Sequence, residues 1–236
     1  MAGAQAASGR GRDGIGQRCP RDGGGRNARA THNHPGRFRA TRSSASFHGV
    51  RCFIAINLPA AVRDAVATQT APLRLAAPRE SWVTAERLHA TVRFLGEVEP
   101  PFVAQLCVAL NAAARRFDPI PLEIATLGAF PVWKRARVIW AGVGYDPKLE
   151  LLHHDIETAC IALGLDVEGR PFRPHVTLAR LREPGGEVAR AIFQAARGIR
   201  IHHAMSLDSI DIMQSTLTPT GPTYERLAAI PLGRSR

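Results

Sequence analysis

From residue 50 onward the chain sets apolar and polar positions in two rhythms. Leu88, Ala90, Val92 and Phe94 interleave with His89, Thr91, Arg93 and Leu95, the period of two by which a strand presents one apolar face. Gly96 is expected to end that strand. Val103, Leu106, Cys107, Leu110, Ala113, Ala114 and Phe117 then recur at spacings of three and four, which predicts an amphipathic helix entered through Pro100-Pro101. Similar patterns predict a strand over Arg51–Asn57, a helix with Pro59 as its first residue, and strands over Leu122–Leu127 and Arg137–Val143 joined through the turn-like GAFPVWKRA. A further helix is capped by Asp146, begun by Pro147 and closed by Gly164, with Leu149, Leu152, Ile156, Ala159 and Leu163 as its buried stripe. The strand carrying His175, a helix near Glu187–Arg197 and strands near Ser206–Gln214 and Tyr224–Ile230 complete the chain.

Two of these runs echo each other. HATVRFLGEVEPPFVAQL…PLEIATL and HVTLARLREPGGEVARAIF…MSLDSIDIM share an order of His-x-Thr strand, loop with Glu, helix and apolar strand, and their histidines stand 86 residues apart. The echo predicts an internal duplication, two lobes about an approximate two-fold axis with the His-x-Thr strands facing across a cleft. Residues i and i+2 of a strand share a face about 6.5–7 Å apart. His89 therefore goes with Thr91 and His175 with Thr177, while Ala90, Val92, Val176 and Leu178 pack on helices. Arg93 is expected on the His89 face.

Composition changes this picture mainly at the N-terminus. Residues 1–49 are rich in Gly, Arg, Ser and Ala and carry nine arginines against two aspartates, +7 of the chain's formal +11. They are too poor in Leu, Ile and Val to offset the entropy of ordering, so a disordered basic tail is expected ahead of one domain at 50–236. A nucleic-acid arm and a targeting segment are alternatives for the tail; the favoured reading gives it no functional part, with Val50 as the native start. The +4 that remains makes the domain mildly basic, compatible with an RNA-sized anion. No stretch approaches the roughly eighteen apolar residues of a membrane helix. Cys19, Cys52, Cys107 and Cys160 lie far apart without a CxxC pair, which suits reduced thiols in a cytosolic, cytoplasmic protein.

The chemistry rests on the repeated motif. Two imidazoles with ordinary pKa values of about 6.5 coexist at neutral pH as one base and one acid, the pair that in-line displacement at phosphorus requires. Threonine hydroxyls donate to the non-bridging oxygens, whose charge grows toward the transition state. No Asp, Glu or Cys accompanies either motif at ligand spacing, so neither metal nor cofactor is expected. His153-His154 and His202-His203 are adjacent pairs whose members cannot share a face, and they read as structural. There is no GxSxG, and no Gly-rich phosphate loop follows a strand.

The segments CFIAINLP, LHATVRFLGEV, LGAFP, ARVIWAGV, FRPHVTLAR and PTYERLAAIPL together resemble the RNA 2',3'-cyclic phosphodiesterases, or 2'-5' RNA ligases, of the 2H phosphoesterase superfamily, from Val50 to about Leu232. The resemblance implies a bilobal α+β fold of two pseudo-two-fold related lobes, each an antiparallel sheet with helices outside and the site in the cleft between them. It implies His89 as proton donor to the leaving group, His175 as the base that activates water, Thr91 and Thr177 as phosphate ligands, and opening of a 2',3'-cyclic phosphate to a 2'-phosphomonoester without metal. RNA ends or nucleoside 2',3'-cyclic phosphates are the implied partners of a monomer that does not enter membranes. Arg180 matches an arginine linked to substrate phosphate, yet strict alternation sets it opposite His175 unless a bulge re-aims it. Two alternatives stay open: another cyclic phosphate or 2'-5' ligation within the superfamily, and a non-catalytic module that binds RNA ends.

Overall fold

The two His-x-Thr strands lie side by side. In the computed structural model, which describes residues 49–219 and 221–233, β3 (His89–Val98) and β6 (His175–Arg180) meet antiparallel at the pair Ala90 and Val176. Around this midline run β1 (Val50–Asn57), β2 (Ser81–Trp82), β4 (Ile120–Phe130), β5 (Val138–Val143), β7 (His203–Leu207), β8 (Ser209–Thr218) and β9 (Gly221–Pro231). The sheet order is β7-β4-β5-β6-β3-β1-β8-β9, with β2 beside β6. One lobe is thus β3-β1-β8-β9, the other β6-β5-β4-β7. The tail 1–48 lies outside the described residues, and so do the expectations placed on it.

The registers make the two-fold relation explicit. Asn57, Ile56, Ala55 and Ile54 of β1 face His89, Ala90, Thr91 and Arg93; Gly142, Ala141, Trp140 and Ile139 of β5 face His175, Val176, Thr177 and Ala179. The lobes are not consecutive halves of the chain, however. β4 follows β3 through α3 (Pro100–Ala114) yet joins β5 in the second lobe, while β8 follows β6 through α5 (Gly186–Arg197) and β7 yet joins β1 in the first. This exchange interlocks the repeats over one continuous core, to which Ile54, Val92, Leu106, Ile139, Leu178 and Ile192 all contribute.

Helices α1 (Ala60–Gln69), α2 (Ala71–Ala76) and α4 (Pro147–Ala162) complete the outer layer. Asp146 caps α4 as its sequence predicts, accepting from the Lys148 backbone N–H at 2.7 Å, and Gly164 follows the helix with φ +90°. Three expectations are corrected. Pro59 caps α1 and is not its first residue. Gly96 does not end β3; its φ of +75° accommodates a bulge in which Cys52 faces Gly96 and Phe53 faces Phe94, and the strand runs on to Val98. The single strand expected over Ser206–Gln214 is two, broken at Asp208. The two-residue β2 went unforeseen, being too short to show a period.

Candidate active site

Alternation places each motif histidine and threonine on the cleft side. Ala90 and Val176 are buried toward the helices, whereas His89, Thr91, His175 and Thr177 are all half-buried on the other face. Because Ala90 faces Val176, the same register sets His89 against Thr177 and Thr91 against His175, with the two imidazoles on a diagonal of about 7–8 Å between backbones. The motifs form one site with an imidazole and a hydroxyl from each lobe.

Both strands then slip phase at a bulge. On β6, Ala179 faces Ile139 and Thr177 faces Trp140, which leaves Leu178 as the extra residue. Leu178 and Ala179 are consequently buried in succession, and Arg180 turns out on the side of His175 and Thr177. On β3, Arg93 faces Ile54 and Thr91 faces Ala55, so Val92 is the extra residue. Here the buried pair is Val92 and Arg93, and Phe94 emerges 56% exposed at the position equivalent to Arg180. The expectation that Arg93 shares the His89 face is therefore corrected. Its side chain is 3% exposed, paired with Glu157 of α4 and donating to the Asp166 carbonyl, and it does not reach the cleft.

The imidazoles are held alike. His89 Nδ1 lies 2.8 Å from the Arg87 carbonyl and His175 Nδ1 2.6 Å from the Arg173 carbonyl. A carbonyl only accepts, so Nδ1 carries the proton in both rings and Nε2 is left to exchange protons. Phe53 and Tyr224 flank His89, each 5.1 Å between ring centres; Phe130 stands edge-on to His175 at 4.9 Å, with Trp140 at 6.3 Å. Burial among these rings pushes the His89 pKa below its ordinary value, opposed by the Arg87 carbonyl and assisted by the positive charges of His175 and Arg180. Burial also lowers His175, again opposed by its carbonyl and assisted by Arg180. Arg180 thus acts on both histidines.

The halves of the site are not equal in room. A cavity of about 710 Å³ opens beside His89, lined also by Asn57, Arg87, Asp211, Tyr224 and Arg226, and His175 is not in its wall. At its floor Asn57 Nδ2 donates to Asp211 Oδ2 at 2.8 Å, and Asp211 is 3% exposed. Sequence reasoning missed Asn57, Asp211, Tyr224, Phe130 and Trp140. An acid inside the apolar run Ile210–Met213 was the available signal for Asp211; the others are ordinary strand residues until their neighbours are known. His153 stacks on Phe172 with ring centres 4.0 Å apart and His203 contacts Gln69, contacts away from the motifs. Cys52, Cys107 and Cys160 are free thiols; Cys19 is outside the described residues. Among the described residues no helix is long and apolar enough to cross a membrane.

The family model described as LigT like Phosphoesterase matches twice, over residues 56–140 and 144–224, with one motif histidine at a corresponding depth in each copy. An RNA 2',3'-cyclic phosphodiesterase of Aeropyrum pernix is 34% identical over 169 residues, which are 71% of this chain and 91% of that protein. One from Geobacillus stearothermophilus is 34% identical over 182 residues, 76% of this chain but 56% of that longer protein. The structure of E. coli LigT complexed with 3'-AMP superposes with TM-score 0.56 at 26% identity, covering 79% of this chain and 99% of that one. A Thermus thermophilus protein shares the fold with TM-score 0.67 at 24% identity, covering 78% and 100%. Two family matches in tandem, over most of the folded chain and in register with its own internal repeat, mean that this chain belongs to the LigT-like phosphoesterase family.

Proposed function

We propose that the protein opens RNA 2',3'-cyclic phosphates to 2'-phosphomonoesters, with His89 as general acid and His175 as general base. The observation that carries this reading is the Ala90–Val176 pairing, which brings two Nδ1-anchored imidazoles and two threonine hydroxyls to one face of one cleft. His175 Nε2 takes a proton from water as the water oxygen bonds to phosphorus. The bond from phosphorus to the 3' oxygen breaks, and that oxygen takes the proton held on His89 Nε2. Thr91, Thr177 and Arg180 meet the non-bridging oxygens, where charge accumulates in the five-coordinate state.

The assignment of acid and base is supported by room. The leaving oxygen belongs to a ribose that carries a base and upstream RNA, and the 710 Å³ cavity lies beside His89; the attacking water is small and suits the ring-walled side of His175. The likeness to proteins named RNA 2',3'-cyclic phosphodiesterase supports the substrate class. Product analysis on a short RNA ending in a cyclic phosphate tests the reading. The expected product is the 2'-phosphate, formed equally in the presence of a chelator. H89A and H175A should each lose about 10²–10⁴-fold in turnover with circular dichroism unchanged. A 3'-phosphate product, or ordinary turnover in either variant, would sink the proposal.

A further inference from the structure

The two halves of the site differ in one row of the cleft floor. Thr91, Ala55 and Asp211 lie abreast on β3, β1 and β8; the equivalent row on β6, β5 and β4 is Thr177, Trp140 and Gly128. Where the first lobe has a methyl group and a carboxylate, with a cavity beside them, the second has an indole. A Cβ on Gly128 would stand 2.1 Å from the Trp140 ring, so the ring lies directly on the glycine backbone and no other residue fits beneath it. Phe130 backs the indole at 5.1 Å between ring centres, and both rings border His175.

We infer that Trp140, seated on Gly128 and backed by Phe130, makes the protein select water over alcohols as the nucleophile that His175 activates. The inference rests on the reading above. In-line displacement fixes the side of attack, because the entering oxygen approaches opposite the leaving 3' oxygen and therefore beside His175. Water needs only about 30 Å³, whereas an alcohol must house at least one carbon there as well. The chemistry is otherwise the same. The alcohol O–H gives its proton to His175 Nε2, its oxygen bonds to phosphorus, the bond from phosphorus to the 3' oxygen breaks, and that oxygen takes the proton from His89. The product is a 2'-phosphodiester in place of a 2'-phosphomonoester, with nothing oxidised or reduced. Trp140 thus holds back transesterification, which with the 5'-hydroxyl of a second RNA would be strand joining.

The test uses a partition that does not depend on how much of a variant is folded. The full chain is incubated with cytidine 2',3'-cyclic phosphate in a water–methanol mixture, and the ratio of 2'-phosphate methyl ester to 2'-phosphate is measured. W140A should raise that ratio about tenfold, the discrimination a pocket exerts against one or two added carbons. G128A, which displaces the indole without removing it, should raise the ratio in the same direction, and W140F should fall between W140A and the parent. A ratio unmoved in W140A and G128A while hydrolysis continues overturns the inference. Failure of the parent to open the cyclic phosphate overturns the underlying functional reading instead.

Discussion

A histidine is useful to this reaction only if its second nitrogen is spoken for. The Arg87 and Arg173 carbonyls do this two residues before each motif histidine, a contact that short-range chain geometry makes within each motif. The surroundings then depress both pKa values, burial first and Arg180 among the contributors. The competent form holds one proton between the two rings, so kcat/KM should be a bell whose optimum lies on the acid side of the ordinary imidazole value of about 6.5. Removing the Arg180 charge takes away a repulsion that disfavours both imidazolium forms, so R180Q should move the whole bell to higher pH. The same variant should lose roughly ten- to a hundredfold in kcat/KM if it gives up one charged hydrogen bond to phosphate. A pH–rate profile of the variant superimposable on the parent's would show that Arg180 does not face the imidazoles.

At the scale of the element, the strand that carries a motif matters less for its period than for where the period breaks. Alternation was legible in the sequence and correctly paired His89 with Thr91 and His175 with Thr177. It held through Val92 and Leu178, both buried as expected, and failed at the next residue, Arg93 and Ala179, because a bulge is a mismatch between two strands and cannot be read from one of them. The break exchanges the fates of Arg93 and Arg180, sending the first into the core and the second toward the cleft. Helix boundaries were more legible, since caps are local. D146A should cost about 1 kcal/mol by removing the acceptor for the Lys148 N–H, read as a lower midpoint in urea unfolding with catalysis retained; an unchanged midpoint would mean the cap contributes nothing.

Across the whole molecule, the exchange of β4 and β8 between lobes makes each repeat depend on the other for its core. Arg93 adds a polar tie between the first motif strand and the second repeat. It leaves β3, pairs with Glu157 of α4 and reaches the Asp166 carbonyl in the loop that leads toward His175, while Glu157 also accepts from the Glu168 backbone N–H. With the Arg93 and Glu157 side chains 3% and 15% exposed, breaking the pair leaves a charge largely out of water. R93M should therefore destabilise the fold by about 3–5 kcal/mol, and the double variant R93M/E157M by less, because no lone charge remains. Equal loss in the two variants, measured by urea unfolding, would argue that Arg93 contributes packing alone.

The sequence by itself determined the duplication, the paired motifs, the faces of their four residues and the Asp146 cap of α4, all of which depend on spacing within a few residues. Only the tertiary structure decided that Arg93 is buried and Arg180 turned outward, that the lobes trade strands, and that one half of the cleft holds an indole where the other holds a methyl group and a carboxylate. Those outcomes depend on which residue of a distant strand lies alongside, a pairing set by how the whole sheet closes over its core. The same two tetrapeptides are therefore symmetric as sequence and asymmetric as a site.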